Sequence, residues 1–87
     1  MQYTGFPKGV CSSEMTVELV NGKIANVYVK GGCNGNLKGI CSLLQGMDAH
    51  DAIDRLSGIR CGSKQTSCPD QLSRVIGEAL EAEAAEK

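Results

Sequence analysis

Between Glu14 and Val20 the apolar residues Met15, Val17 and Leu19 alternate with Thr16 and Glu18. That two-residue period predicts a half-buried strand. Asn21-Gly22 follows, a pair that tolerates positive φ and is a strong signal for a two-residue hairpin turn. Lys23 to Lys30 returns as a second strand carrying Ile24, Val27, Tyr28 and Val29. From Leu37 the period changes: Leu37, Ile40, Cys41 and Leu44 fall at i, i+3, i+4 and i+7, one face of a helix. Gly46 is placed to end it in the left-handed conformation. Asp48 is placed to cap a second helix with Ala49, Ala52, Ile53 and Leu56 inward and Gly58 as its stop. Ser67-Cys68-Pro69-Asp70 has the form of a third helix start, with Ser67 as cap, Pro69 in the first turn and Asp70 completing a capping box. Leu72, Val75, Ile76, Ala79 and Leu80 form the apolar stripe of that helix. Residues 1–13, with Gly5, Pro7 and Gly9, have the composition of an extended arm and a loop. The tail 81–87, rich in Ala and Glu, is expected to fray. A hairpin followed by about three helices predicts an α+β domain, the helices packed on one face of a small antiparallel sheet.

The chain has 87 residues, the length of one domain. Its formal net charge is −1, so there is no basic excess to offset a phosphate backbone, which argues against a nucleic-acid partner. Aromatic residues are 3% and Trp is absent, which removes base stacking as a binding mode. The longest apolar run, Val27-Tyr28-Val29, is far too short to span a membrane. The first residues show no basic and apolar secretion signal, so a cytoplasmic, thiol-reducing setting is expected.

Five cysteines in so short a chain then become the leading chemical feature. An odd number does not suit a pure disulfide framework, and a thin core gains from a metal. Cys11 precedes the first strand and Cys33 follows the second. If Glu14 pairs with Val29 across the turn, both thiols leave from the same end of the hairpin. Cys61 and Cys68 bracket the polar loop before the last helix. Cys68 sits at that helix's N-terminus, where free N–H groups and the positive dipole end favour a thiolate, as do Arg60 and Lys64. Four sulfurs meeting there would make a soft tetrahedral site suited to zinc or an iron–sulfur cluster. The intervening lengths of 21, 27 and 6 residues are not the paired Cys-x-x-Cys of a zinc ribbon. Reversible dithiol chemistry at Cys61 and Cys68, and inert buried thiols, remain as alternatives. Cys41 shares the apolar face of its helix and is expected to be a core thiol, or else a spare ligand or redox partner of Cys33. His50, the only histidine, falls among Asp48, Asp51 and Asp54 and is expected on the surface. No acid–base triad can be drawn. Gly31-Gly32-x-x-Gly35 lacks the Lys-Ser/Thr ending of a phosphate loop and is expected to let the backbone turn so that Cys33 faces inward. Asn34 and Asn36 are placed to cap the helix or to bond the sulfur ligands.

Thr66-Ser67-Cys68-Pro69-Asp70 resembles the signature of the TSCPD domain family, and Gly32-Cys33-Asn34-Gly35-Asn36 and Cys61-Gly62-Ser63-Lys64 resemble its other blocks, over about residues 3 to 80. The resemblance implies a small stand-alone member related to the C-terminal domain of adenosylcobalamin-dependent ribonucleotide reductases, which supply DNA biosynthesis. It implies four ligand cysteines, Cys11, Cys33, Cys61 and Cys68, with Cys41 outside the set. The implied role is a metal- or iron–sulfur-binding accessory domain, not a complete enzyme, whose partner is the reductase or a thiol reductant protein. A fainter likeness runs to NifU/IscU-type iron–sulfur scaffolds, through the order of Cys11, Cys33 and Cys68. There the expected carboxylate near the first cysteine is replaced by Ser12-Ser13, and Cys61 is an addition. That likeness makes cluster assembly a further alternative to the dithiol electron carrier.

Overall fold

The computed structural model describes residues 1–7, 12–31, 34–59 and 68–85. A three-stranded antiparallel sheet is followed by helices, the α+β arrangement expected. The strands are β1 (Gln2–Gly5), β2 (Ser12–Val20) and β3 (Lys23–Gly31), in that spatial order. The helices are α1 (Asn34–Leu44), α2 (Ala49–Leu56) and α3 (Cys68–Ala85).

The hairpin forms where the pattern places it. Asn21 and Gly22 both have positive φ, 52° and 78°, as a two-residue turn of this hand requires. The register differs by one residue from the expectation. Glu14 pairs with Lys30, and Met15 with Val29, because the pairing shifts between Glu18 and Leu19 and leaves Ala25 as an extra residue in β3. The bulge resets the two-residue parity, so Ile24 and Val27 both face the core despite their odd spacing. A second shift, between Ser12 and Glu14, leaves Ser13 extra in β2 and brings Ser12 opposite Gly31. The two irregularities therefore offset each other by the open end of the hairpin.

The N-terminal arm is a strand in its own right. Tyr3 pairs with Val17 and Gly5 with Met15, and the terminal amine donates to the Leu19 carbonyl at 2.8 Å. Its alternation is hard to read because the inward position after Tyr3 is a glycine. Gly5 has no room for a side chain: a Cβ there would lie 2.8 Å from Cγ2 of Val75 on α3.

Met15, Val17, Leu19 and Ile24 from the sheet meet Leu72, Val75, Ile76 and Ala79 from α3 and Ala49 and Ala52 from α2, all fully buried. α3 lies against β1 and β2, α1 against β3, and α2 against α3. The opposite face of the sheet is polar: the Thr4 and Thr16 hydroxyls are 3.0 Å apart, and Asn26 donates to Glu18 while accepting from Gln45.

The Asp48 carboxylate caps α2, accepting from the N–H groups of His50 and Asp51. Gly46 and Gly58, with φ of 86° and 81°, follow α1 and α2. α1 begins three residues before the apolar period does, because Asn34, Gly35 and Asn36 carry no hydrophobic signal; the side chain of Leu37 lies outside the described set. α3 continues past its apolar stripe to Ala85, and Glu83 accepts from the Gly22 N–H of the hairpin turn at 3.0 Å. No helix among the described residues is long and apolar enough to cross a membrane.

Candidate functional site

Of the four expected ligands, Cys11, Cys33 and Cys61 lie outside the described residues, as do the expected cap Ser67 and the glycine at 32. Cys68 is described. It is half-buried and occupies the first turn of the 18-residue α3, partly packed on the core. A cysteine sulfur is a donor that a soft metal takes as thiolate, so this residue fits zinc or a cluster. Among the described residues no group of three or more His, Cys, Asp or Glu side chains could hold a metal ion.

Three contacts fix how α3 lies along the sheet. Glu83 meets the turn at Gly22, the Tyr3 hydroxyl donates to Glu78 at 3.0 Å, and Arg74 donates to the Phe6 carbonyl at 3.2 Å. α3 thus runs antiparallel to β1, with its N-terminus towards the open end of the hairpin. Cys68 precedes Arg74 by six residues, about 9 Å further along the axis. Ser12 precedes Met15, the partner of Gly5, by three residues, up to about 10 Å further along β2. The helix start that carries Cys68 and the paired strand ends Ser12 and Gly31 therefore occupy one end of the domain. From Ser12 the chain runs to Cys11, and from Gly31 it runs to Cys33.

A second set of bonds holds the two ends of segment 60–67. The Gly58 N–H donates to the Asp70 carboxylate at 2.8 Å, the Ser73 hydroxyl donates to the Asp70 carbonyl at 2.6 Å, and the Ser57 hydroxyl bonds Ser73 at 3.2 Å. The expected capping box pairs Asp70 with Ser67, which lies outside the described residues. The Asp70 carboxylate also reaches the end of α2, a link across 12 residues that no local motif encodes.

The other candidates resolve simply. Cys41 packs on the core beside Ile40 and Leu44, and burial pushes its thiol above the ordinary 9.0, which keeps it protonated and poorly nucleophilic. His50 is exposed on α2, as expected for a surface side chain. The structural residues that sequence reasoning missed are Gly5, Asp70 in its link to Gly58, and Glu83. Only Gly5 left a trace in the sequence, as an inward-facing glycine in an alternating segment.

Fold and thiol placement define a small α+β domain with a cysteine at the helix start facing the hairpin's open end. The TSCPD domain family matches residues 1–80, and the chain belongs to that family. No curated protein and no solved structure is similar enough to count as a match. The likeness to iron–sulfur scaffolds accordingly rests on the order and spacing of three cysteines alone.

Proposed function

We propose that this protein is a soft-metal-binding accessory domain of the ribonucleotide reductase type, with Cys11, Cys33, Cys61 and Cys68 as ligands of one zinc ion or iron–sulfur cluster. The observation that carries the reading is the alignment of α3. Arg74 on Phe6 and Glu83 on Gly22 direct the Cys68 end of the helix to the strand ends that lead to Cys11 and Cys33. Family membership supports the association with the reductase. When bound, such a centre supplies a Lewis-acidic or one-electron site, and its thiolates tie together segments that a thin core holds weakly. The chain's own residues orient those thiols; nucleotide reduction itself belongs to the reductase. The partner is that enzyme or the thiol reductant that serves it.

Metal analysis of anaerobically purified protein tests the reading, with X-ray absorption at the zinc and iron edges to identify the element. The expected result is near one zinc or one cluster per chain, with sulfur as the coordinating atom. Less than about 0.2 metal per chain, with the four thiols freely titratable, overturns it. The Gly58–Asp70 bond favours a second reading, a dithiol carrier, because it holds the ends of the segment between Cys61 and Cys68. A two-electron couple localised to those two thiols in metal-free protein is its mark.

A further inference from the structure

We propose that the open face of the sheet is a contact surface for a second copy of this chain, the two copies stacked about a two-fold axis that runs between them, parallel to the strands and midway between β2 and β3. On the face turned away from the helices Glu14 stands opposite Lys30, Thr16 opposite Tyr28 and Glu18 opposite Asn26. Tyr28 is 56% exposed, and aromatic side chains of this kind are enriched where proteins meet. With Glu14, Thr16, Val29 and Lys30 it lines a shallow depression of about 330 Å³. Opposite charges stand side by side there, and among the described residues neither the Glu14 carboxylate nor the Lys30 ammonium has a hydrogen bond or an ion pair.

Two-fold symmetry makes such a face self-complementary, because residue i meets residue j wherever j meets i. Rotation about the stated axis exchanges β2 and β3 between the copies and keeps each residue's height along the strands. Glu14 then lies over Lys30 of the second copy, Lys30 over Glu14, Thr16 over Tyr28 and Glu18 over Asn26, so every charge meets an opposite or a neutral group. Tyr28 of each copy enters the other's depression beside Thr16. An axis across the strands, at the row of Thr16 and Tyr28, would instead set Glu14 against Glu18, a like-charge contact that disfavours it. Aligned stacking about 10 Å apart is an ordinary way for two antiparallel sheets to pack. The nine residues of β2 span about 30 Å, and three strands about 14 Å across. A contact of that size falls at the small end of specific interfaces, so the dimer is a transient one.

The test uses the whole chain under reductant, so that no disulfide joins the copies. Sedimentation equilibrium at up to about 1 mM protein is expected to show a monomer–dimer equilibrium. Glu14→Lys alone sets like charges together at both contacts, and so does Lys30→Glu alone; each is expected to weaken association about tenfold or more. Mixed one to one, these two variants regain both opposite-charge contacts, and the mixed dimer is expected to form within about threefold of the wild-type constant. Asp54→Lys and Arg55→Glu, at exposed positions of α2, give the same two net charges; they are expected to self-associate like wild type and to gain nothing on mixing. A wild type that stays monomeric at about 1 mM overturns the proposal. So do sheet-face variants that self-associate like wild type, or α2 variants that gain as much on mixing as the sheet-face pair. Should either sheet-face variant fail to fold, the amide resonances of wild type decide the matter. Raising the concentration from about 20 µM to about 1 mM should shift Glu14, Thr16, Tyr28 and Lys30 and leave α3 unmoved. Shifts confined to the helices, or none, overturn the proposal.

Discussion

At Gly5 the sheet leaves no room for a side chain against α3, and its replacement by alanine gives a quantitative test of how the two layers fit. An ideal Cβ would lie 2.8 Å from Cγ2, 3.0 Å from Cγ1 and 3.4 Å from Cβ of Val75. Val75 is fully buried, and its branched side chain has few other rotamers on a helix. Either β1 or α3 must shift by several tenths of an ångström. Overpacking of this kind costs about 2 kcal/mol. The alanine returns about 0.5 kcal/mol by restricting the unfolded chain. The net loss is about 1.5 kcal/mol, or about 6–12 °C in Tm for a domain of this length. Val75→Ala removes the two Cγ atoms and leaves the contact at 3.4 Å, which is ordinary. It costs about 2 kcal/mol alone, from the lost burial of two methyl groups. In that background the clash is gone and Gly5→Ala should gain about 0.5 kcal/mol, so the double variant should be about 2 kcal/mol more stable than the sum of the singles. Urea and thermal unfolding of all four proteins, followed by circular dichroism, measures this directly. Additivity within about 0.5 kcal/mol would refute the close approach.

Asp48→Ala leaves the first N–H groups of α2 without their carboxylate and should cost about 1 kcal/mol, while Asp48→Ser should recover most of it; equal urea midpoints for the two would remove the cap. Burial raises the Cys41 pKa above 9.0, so the unfolded chain ionises there first. The contribution is intact below pH 9.0, and stability is lost as pH rises from there through the folded value. Cys41→Ser should flatten that alkaline decline relative to wild type, and parallel pH–stability curves would contradict the assignment. Tyr3, raised above 10.0 chiefly by its hydrogen bond to Glu78, acts in the same direction at higher pH.

Most of the architecture was legible because it rests on local periods. The alternation at Met15, Val17 and Leu19, the Asn21-Gly22 turn and the 3.6-residue stripe of α3 each act within a few residues, and each element forms where its pattern lies. What escaped is long-range. No local rule ties Gly22 to Glu83 across 61 residues, or Gly58 to Asp70 across 12. β1 escaped for a related reason: its inward residue is a glycine selected by Val75, 70 positions away in the chain.

The register shows how an inexact local reading can still lead to the right end of the molecule. An uninterrupted two-residue turn pairs Glu14 with Val29, and the bulge at Ala25 moves Glu14 to Lys30. Left uncorrected, that shift would separate the strand ends by one residue and turn their side chains to the opposite face. Ser13 supplies the opposing bulge, and Ser12 regains the partner, Gly31, that the uninterrupted turn assigns to it. A bulge flips side chains to the other face for as long as it stands uncompensated, so the segment between Ala25 and Ser13 has its own facing requirement. Within it Val17 and Val27 face each other in the core, and Thr16 and Tyr28 share the polar side. The sheet thus satisfies its core by shifting register in the middle while keeping the alignment of its open end, where the chain continues to Cys11 and Cys33. α3 reaches the same end through contacts at Gly22, Tyr3 and Phe6, which involve neither bulge. Two independent constraints, strand pairing and helix docking, therefore bring the start of α3 and the strand ends Ser12 and Gly31 to one end of the domain.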